Sequence, residues 1–199
     1  ILLSLDIDQT KAHLIVLGGI ISMIEILRGI HETVDYHGDL RIRIYKNKEY
    51  EDYPQHWHVD FEIIMPVENT YKVIIAKKEY NLDVDDILVI PPGIVHQIYA
   101  PPTGYRIILQ FDSTIFNSLG YFDSALRMFY PCVIIASSFD LNMHKKLSSL
   151  ILNMTDEYFS TLPFREAHLY SMLLLFFTIL GRNYRNPNYD PSYIENNKQ

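Results

Sequence analysis

Residues 56–62 read HWHVDFE and bring two histidines and a glutamate close together in the chain. In an extended segment, residues of the same parity point to the same face, so His56, His58 and Glu62 would share one face. Asp60 would lie on that face as well. Imidazole nitrogens and carboxylate oxygens suit first-row divalent metals, and three protein ligands with open positions are typical of a reactive metal centre. The stretch therefore predicts a divalent-metal site or, without a metal, a polar pocket that binds water or an effector.

A further histidine follows a proline-rich turn. Residues 85–96 read DDILVIPPGIVH and end at His96. The patterns HxHxxxE and PxGxxH together resemble the two motifs of the cupin superfamily, whose members are small jelly-roll barrels. In metal-binding cupins, the residues of both motifs surround one ion inside the barrel. The resemblance implies that this ion would be zinc, nickel, iron or manganese, which ligand types alone do not separate. The implied ligands are His56, His58, Glu62 and His96.

Two positions depart from the cupin pattern. Asp85 stands where the second motif usually begins with glycine, and Asn69 stands where the first motif usually closes with one. Asparagine and aspartate tolerate the left-handed backbone conformation better than most other residues do. We therefore expect both turns, and the fold, to be retained.

Short strands separated by turns must position these residues. Bulky and polar residues alternate in five segments between about Val34 and Phe111, and the breaks between them are rich in proline, glycine, asparagine and aspartate. Many short strands at close spacing favour a β-sandwich or a small barrel. The predicted strands are Leu40–Tyr45, Tyr71–Ala76, Asp86–Ile90, Val95–Tyr99 and Tyr105–Phe111.

Helical periodicity replaces the strand pattern beyond Asp112. One predicted helix runs from about Met143 to Tyr158, and a second begins near Pro163 and ends near Gly181. The second helix is apolar nearly all round, so we expect it to be buried on more than one side, partly in a dimer interface. The predicted dimerisation residues are Leu169, Met172, Leu173, Phe176, Phe177 and Leu180.

The rest of the composition narrows the class of protein. A formal net charge of -7 argues against binding of nucleic acid by this chain itself, because a duplex-binding surface needs a basic field. The apolar stretch from Leu14 to Ile24 is too short to span a membrane, and we interpret Thr10 to Arg28 as an amphipathic helix. The single cysteine, Cys132, fits a reducing compartment, so we expect a cytoplasmic protein.

From about Ile26 to Tyr184, the order of motifs, strands and helices resembles the amino-terminal domain of AraC-type bacterial transcription regulators. The resemblance implies a cupin barrel that binds a small effector, often a sugar, followed by helices that form a homodimer. A separate helix-turn-helix domain, absent from this chain, would bind DNA. We therefore expect a leading helical segment (1–33), a cupin β-barrel (34–112), a helical dimerisation region (113–182) and a linker toward that domain (183–199).

Other polar side chains on the predicted strands could contact the effector. Their faces are not fixed by the sequence, because either side of a strand could point into the barrel. A buried arginine among them would need a carboxylate or a ligand oxygen. The predicted effector-binding residues are Asp60, Arg41, Arg43, Arg106 and Gln110.

The sequence thus predicts a mainly β protein with helices that senses a small molecule and is not an enzyme. One alternative is a stand-alone metal-dependent cupin enzyme, such as an isomerase or a dioxygenase. Another is a structural cupin that binds no small molecule. The polar residues gathered by the two motifs favour a ligand-binding function over the structural one.

Overall fold

The computed structural model describes residues 27–36, 38–48, 52–119, 126–138, 140–185 and 187. Strands dominate the first part of these segments, and two long α-helices follow. The strands are β1 (Leu27–Arg28), β2 (His31–Glu32), β3 (Ile42–Asn47), β4 (Tyr53–His56), β5 (Phe61–Pro66), β6 (Tyr71–Ile75), β7 (Lys78–Leu82), β8 (Ile87–Ile90), β9 (His96–Tyr99), β10 (Arg106–Phe111) and β11 (Val133–Ile135). The helices are α1 (Leu141–Tyr158) and α2 (Arg165–Asn183), with 3₁₀ turns at Ser113–Leu119 and Arg127–Phe129.

Two antiparallel sheets enclose the interior of the barrel. One has the strand order β11-β8-β5-β10-β3, and the other has the order β4-β9-β6-β7. Apolar side chains from both sheets, such as Ile64 from β5 and Val73 from β6, are fully buried in one shared cluster. The predicted jelly-roll class with a helical segment after the barrel is confirmed.

The turns adopt the backbone conformations that the sequence predicts. Asn69 and Asp85 have φ angles of 63° and 67°, so both occupy the left-handed region that glycine usually supplies at these places. Gly104 has a φ of 118°, and a Cβ atom there would lie 2.6 Å from the backbone oxygen of Glu68. Only glycine fits this close approach, which brings the start of β10 beside the end of β5.

All five predicted strands are present, with ends shifted by one or two residues, and the structure contains six further strands, β1, β2, β4, β5, β7 and β11. β11 lies within residues 113–182, which we interpreted as helical, and it pairs with β8 at the edge of the five-stranded sheet. A three-residue apolar strand between helical signals carries no periodicity of its own. The predicted domain boundaries stay a prediction, and the five-stranded sheet includes β11, which lies beyond residue 112.

The leading segment also departs from its prediction. Leu27 and Arg28 were predicted to end an amphipathic helix, but they form β1, which pairs with β2. The remainder of that predicted helix lies outside the described residues, as does nearly all of the predicted linker at 183–199.

The two α-helices cover the outer face of the five-stranded sheet. Asp140 caps α1, because its carboxylate accepts hydrogen bonds from the backbone of Asn142 and Met143. Phe177 of α2 packs against Phe61 and Phe111 of the sheet, with ring centroids 5.6 and 5.4 Å away. A second core therefore lies behind the sheet, separate from the barrel interior.

The predicted dimerisation residues lie inside this second core. All six side chains on α2 are buried within the chain's own structure, where they pack against α1 and the sheet. These contacts account for the apolar character of α2 without a second copy of the chain. A dimer role for Leu169, Met172, Leu173, Phe176, Phe177 and Leu180 stays a prediction.

Within the segments that the structure describes, neither helix combines the length and apolar character needed to cross a bilayer.

Candidate metal centre

The structure brings the four predicted ligands together inside the barrel. His56 on β4 and His96 on β9 are direct cross-strand partners in one sheet. Glu62 enters from β5 in the facing sheet, and His58 lies on the connection between β4 and β5. One potential ligand atom from each side chain lies within 4.8 Å of the others, and all four residues are buried.

The way in which residues 56–62 achieve this differs from the prediction. The segment is not a single strand with its ligands on one face, because the chain bends at residues 58–60 and passes from one sheet to the other. His56 and Glu62 therefore approach the centre from opposite walls of the barrel. The four residues that we predicted still converge, but two sheets are needed to bring them together.

Backbone carbonyl groups orient all three imidazole rings. The Nδ1 atoms of His56, His58 and His96 each lie 2.8 Å from a backbone oxygen within two residues along the chain. A carbonyl oxygen can only accept, so each Nδ1 carries a proton and donates it. In a neutral ring the lone pair is then on Nε2, the tautomer needed for metal binding through that atom.

Glu62 lies at the centre of the cluster. Its Oε2 atom is 3.1 Å from His58 Nε2, and its Oε1 atom is 3.8 Å from His96 Nε2. Gln110 on the neighbouring strand donates from its side-chain nitrogen to Oε2 at 2.9 Å. Burial raises the pKa of Glu62, but the hydrogen bond with His58 and the nearby histidines outweigh this effect and hold it well below the usual range.

The three histidines differ in protonation when no metal is present. Burial lowers the pKa of His58, but the hydrogen bond and the charge of Glu62 prevail and raise it to about 9. Burial and the proximity of His96 lower the pKa of His56 to about 3. Burial likewise lowers the pKa of His96, to about 4. At neutral pH one imidazolium therefore balances Glu62, while the other two rings are neutral.

Two buried atoms of the cluster make no hydrogen bond. These are Glu62 Oε1 and His96 Nε2, which face each other at 3.8 Å. Leaving buried polar atoms without a partner costs about 1–3 kcal/mol each. A divalent ion binds such atoms at about 2.0–2.2 Å, so both could reach one ion in this gap. The cluster could therefore form a metal site that satisfies both atoms.

A second buried carboxylate lies beside the cluster. Glu32, from β2, accepts a short hydrogen bond from the Tyr53 hydroxyl, and its Oε2 atom is 3.4 Å from His56 Nε2. Glu32 is not predicted from the sequence, because it lies far upstream of both motifs. A cavity of about 10 Å³ lies next to it, roughly the space of one water molecule. The cavity is lined by Glu32, Tyr45, Tyr53, His56, Glu62, Ile98, Ile108 and Gln110.

Three of the predicted effector-binding residues share the interior face of the five-stranded sheet. Gln110 is the cross-strand partner of both Glu62 and Arg43, so all three side chains project from the same face. Arg106 lies on that face farther along β10, buried with its guanidinium 4.8 Å from the centre of the Tyr71 ring. Gln110 contacts the four-residue cluster through its hydrogen bond to Glu62.

The remaining two predicted effector-binding residues lie elsewhere. Asp60 is buried near His58, and its carboxylate accepts a short hydrogen bond from Tyr36. Arg41 precedes β3, is exposed and lies over the Tyr36 ring at 5.8 Å. An effector contact by Arg41 stays a prediction, and its side chain does not lie in the buried cluster.

Comparison with known families agrees with the motifs. Residues 41–129 match the family model described as AraC-like ligand binding domain, which confirms the predicted resemblance. No curated protein matches the chain significantly.

Several solved structures are similar to this chain at low sequence identity. An apo variant of ToxT from Vibrio cholerae is 12% identical, with 75% of this chain and 58% of that chain covered and a TM-score of 0.49. ToxT bound to an unsaturated fatty acid is also 12% identical, with 76% and 58% covered and a TM-score of 0.46. Oxalate decarboxylase from Bacillus subtilis is 20% identical, with 37% and 22% covered and a TM-score of 0.33. The chain thus spans 58% of the length of either ToxT structure.

The pKa shifts predict how stability depends on pH in the presence of a chelator. His56 and His96 stay neutral in the folded state, so stability falls as pH drops below about 6.5, by up to about 1.4 kcal/mol per pH unit for each ring. The raised pKa of His58 has the opposite sign, since its stabilisation is full below about pH 6.5 and is lost as pH rises through 9. Urea unfolding at a series of pH values should show that His58→Gln removes the loss of stability above about pH 6.5. The exposed His168→Gln is the control. If stability still falls above about pH 6.5 in His58→Gln as it does in the wild-type chain, His58 is not the group responsible.

Proposed function

We propose that the chain is the effector-sensing and dimerisation part of an AraC-type transcription regulator, because residues 41–129 match the family model described as AraC-like ligand binding domain. The observation that carries the proposal is this family match together with the buried polar cluster inside the barrel. DNA would be bound by a separate domain, in keeping with the net charge of -7 on this chain. The chain then acts by binding a small molecule, not by converting it.

Metal binding is the second part of the proposal. His56, His58, Glu62 and His96 hold a divalent transition metal, in keeping with the backbone-fixed imidazole tautomers and the two buried atoms that lack hydrogen bonds. A bound divalent ion supplies Lewis acidity, which would polarise an effector oxygen. Gln110 holds the Glu62 carboxylate in place through its side-chain amide.

The effector is a small polar molecule, such as a sugar, that binds beside this cluster. Gln110 offers its amide at the cluster, and Asp60 lies buried near His58. Arg43 lies beside Gln110 on β3, and Arg106 lies farther along the same interior face. The cavity of about 10 Å³ is too small for a sugar, so binding requires a more open arrangement. The effector would shift the population toward that arrangement by its higher affinity for it.

A thermal-shift experiment tests ligand binding directly. Zinc, nickel or manganese at about 100 times its dissociation constant should stabilise the folded chain by about 2.7 kcal/mol and raise the melting temperature. His96→Ala should abolish this shift because it removes one ligand, whereas the exposed His168→Ala should retain it. Sugars can be screened against the chelated and metal-loaded protein alike. A metal-dependent shift that survives both His58→Ala and His96→Ala would contradict the proposed site.

The dimer would use the exposed face of α1 rather than the buried face of α2. Lys145, Ser149, Leu152 and Asp156 are exposed and recur at helical spacing along one stripe. An antiparallel pairing of this stripe with its copy would place Lys145 opposite Asp156 at both ends and Leu152 near the centre. A groove of about 460 Å³ between α1 and α2 lies beside the stripe and could receive side chains from the second copy.

The charge pattern gives a matched test of this interface. Light scattering should give a mass of twice 23.3 kDa for the wild-type chain. Lys145→Glu should weaken the dimer because it places like charges opposite each other, and the double variant Lys145→Glu/Asp156→Lys should restore it. A monomeric wild-type chain would refute the dimer, and equal weakening in the single and double variants would refute this pairing.

A stand-alone metal-dependent cupin enzyme, such as an isomerase or a dioxygenase, is the second candidate function. The observation that favours it is the buried set of three imidazoles and one carboxylate, which suits a reactive metal. The two functions differ in the fate of the bound molecule. A sensor releases its effector unchanged, whereas an enzyme releases a product of different structure or mass.

A further inference from the structure

A short clasp covers one edge of the barrel beside the metal centre. We define the clasp as residues 27–32, which contain β1 and β2. Glu32 donates its backbone N–H to the oxygen of Trp57, and Trp57 donates to the oxygen of Ile30, both at 2.9 Å. The ring of His31 packs on Trp57 at a centroid distance of 4.3 Å. The clasp is thus fastened to the residue that separates His56 from His58.

The clasp places one carboxylate inside the barrel. Glu32 is 3% exposed, although residues Arg28 to Ile30 earlier in the clasp are exposed. Tyr53 donates its hydroxyl proton to Oε1, which leaves Oε2 turned toward the cluster. Gln110 Nε2 lies 3.5 Å from this Oε2 atom and 2.9 Å from Oε2 of Glu62. One amide group therefore bridges the two carboxylates.

Glu32 also meets the ring atom that would bind the metal. Its Oε2 atom is 3.4 Å from His56 Nε2, the nitrogen left unprotonated in the tautomer that donates to Pro54. Two acceptor atoms at this distance do not attract each other without a cation nearby. For an ion bound at about 2.1 Å, adjacent ligand atoms lie about 3.0–3.4 Å apart, depending on the geometry. The observed separation matches that of two neighbouring ligands.

The position of the small cavity also indicates that Glu32 lies on the open side of the cluster. Its lining includes Glu32, His56 and Glu62, but not His58 or His96. The side of the cluster that is not filled by protein atoms therefore faces Glu32. A metal held by the four predicted ligands would have its open coordination position on this side.

We propose that Glu32 is an additional carboxylate ligand on the open side of the metal centre, and that the ion thereby fastens the clasp to the barrel. This inference rests on the proposed metal binding, because without an ion Glu32 has no ligand role. Binding of the ion would stabilise the clasp together with the residues around His56. An effector that takes the open coordination position would displace Glu32 and release the clasp.

Cobalt(II) is a suitable probe, since its visible absorption reports the number and type of ligands. We expect Glu32→Gln to weaken cobalt binding by about 10–100-fold and to change the absorption spectrum, because one oxygen ligand is lost. Asp86→Asn is the matched control, as it neutralises another buried carboxylate, which accepts hydrogen bonds from the backbone of Asp83 and Ser137 and is not among the cluster residues. Its cobalt spectrum should equal that of the wild-type chain. Circular dichroism of each chelated variant verifies that it folds.

Hydrogen exchange provides a readout for the clasp. Cobalt should slow exchange of the Glu32 and Trp57 backbone amides in the wild-type chain, and this protection should be lost in Glu32→Gln. Should Glu32→Gln fail to fold, addition of acetate to cobalt-loaded Glu32→Ala, whose side chain leaves more space, gives the second test. Acetate should shift the spectrum of Glu32→Ala and leave the wild-type spectrum unchanged.

The outcomes separate this inference from the proposed function. Tight cobalt binding with the same spectrum and affinity in the wild-type chain and Glu32→Gln would overturn the role of Glu32 and leave the four-ligand site intact. Absence of cobalt binding by the wild-type chain would overturn both. An acetate response that is equal in Glu32→Ala and the wild-type chain would likewise overturn the inference.

Discussion

The buried carboxylate of Glu62 is the constraint on which the site depends. A charged group inside an apolar barrel is strongly disfavoured unless a cation and hydrogen bonds compensate for the water it has lost. Glu62 is 2% exposed, and its surroundings provide one amide donor, from Gln110, and three imidazoles. Either the His58 imidazolium or a metal ion can balance its charge. The site is therefore built to contain a positive charge, and a proton and a divalent ion compete for the same place.

The rest of the fold maintains this arrangement. β4 and β9 keep His56 opposite His96, while β5 holds Glu62 on the facing sheet between β8 and β10. The helices pack on the far face of that sheet through the phenylalanine cluster around Phe177. Apolar burial thus stabilises the wall that carries Glu62 without placing any helix residue in the site. The helices and the barrel interior therefore share this one sheet, each packing against one of its faces.

The motifs allowed the ligands to be predicted, but not the path of the chain that assembles them. Parity along a single strand predicts His56 and Glu62 on one face, whereas the bend at residues 58–60 sends them to opposite sheets. The ligand set was predicted nonetheless, because the resemblance to cupins supplied it independently of the local geometry. The left-handed turns at Asn69 and Asp85 could be predicted because residue type alone limits the backbone there.

Other features depend on long-range contacts that no local pattern records. The apolar stripe of α2 predicted burial correctly, but periodicity does not distinguish a chain's own core from a dimer interface. The directions in which Arg41 and Arg43 point could not be predicted. They depend on where β3 begins, after Arg41, and on the pairing of Arg43 with Gln110 of β10. Glu32 was missed because its importance comes from a clasp that meets the first motif only in the folded chain.

X-ray absorption spectroscopy of the zinc-loaded chain tests the central claim most directly. Since the four side chains of the cluster offer three imidazole nitrogens and carboxylate oxygen, the spectrum should fit nitrogen and oxygen neighbours at about 2.0–2.2 Å with the multiple scattering of three imidazoles. No sulfur neighbour is expected, because Cys132 packs in the barrel interior with Tyr80 and not among the four ligands. A fit that requires sulfur, or that contains one imidazole or none, would contradict the account.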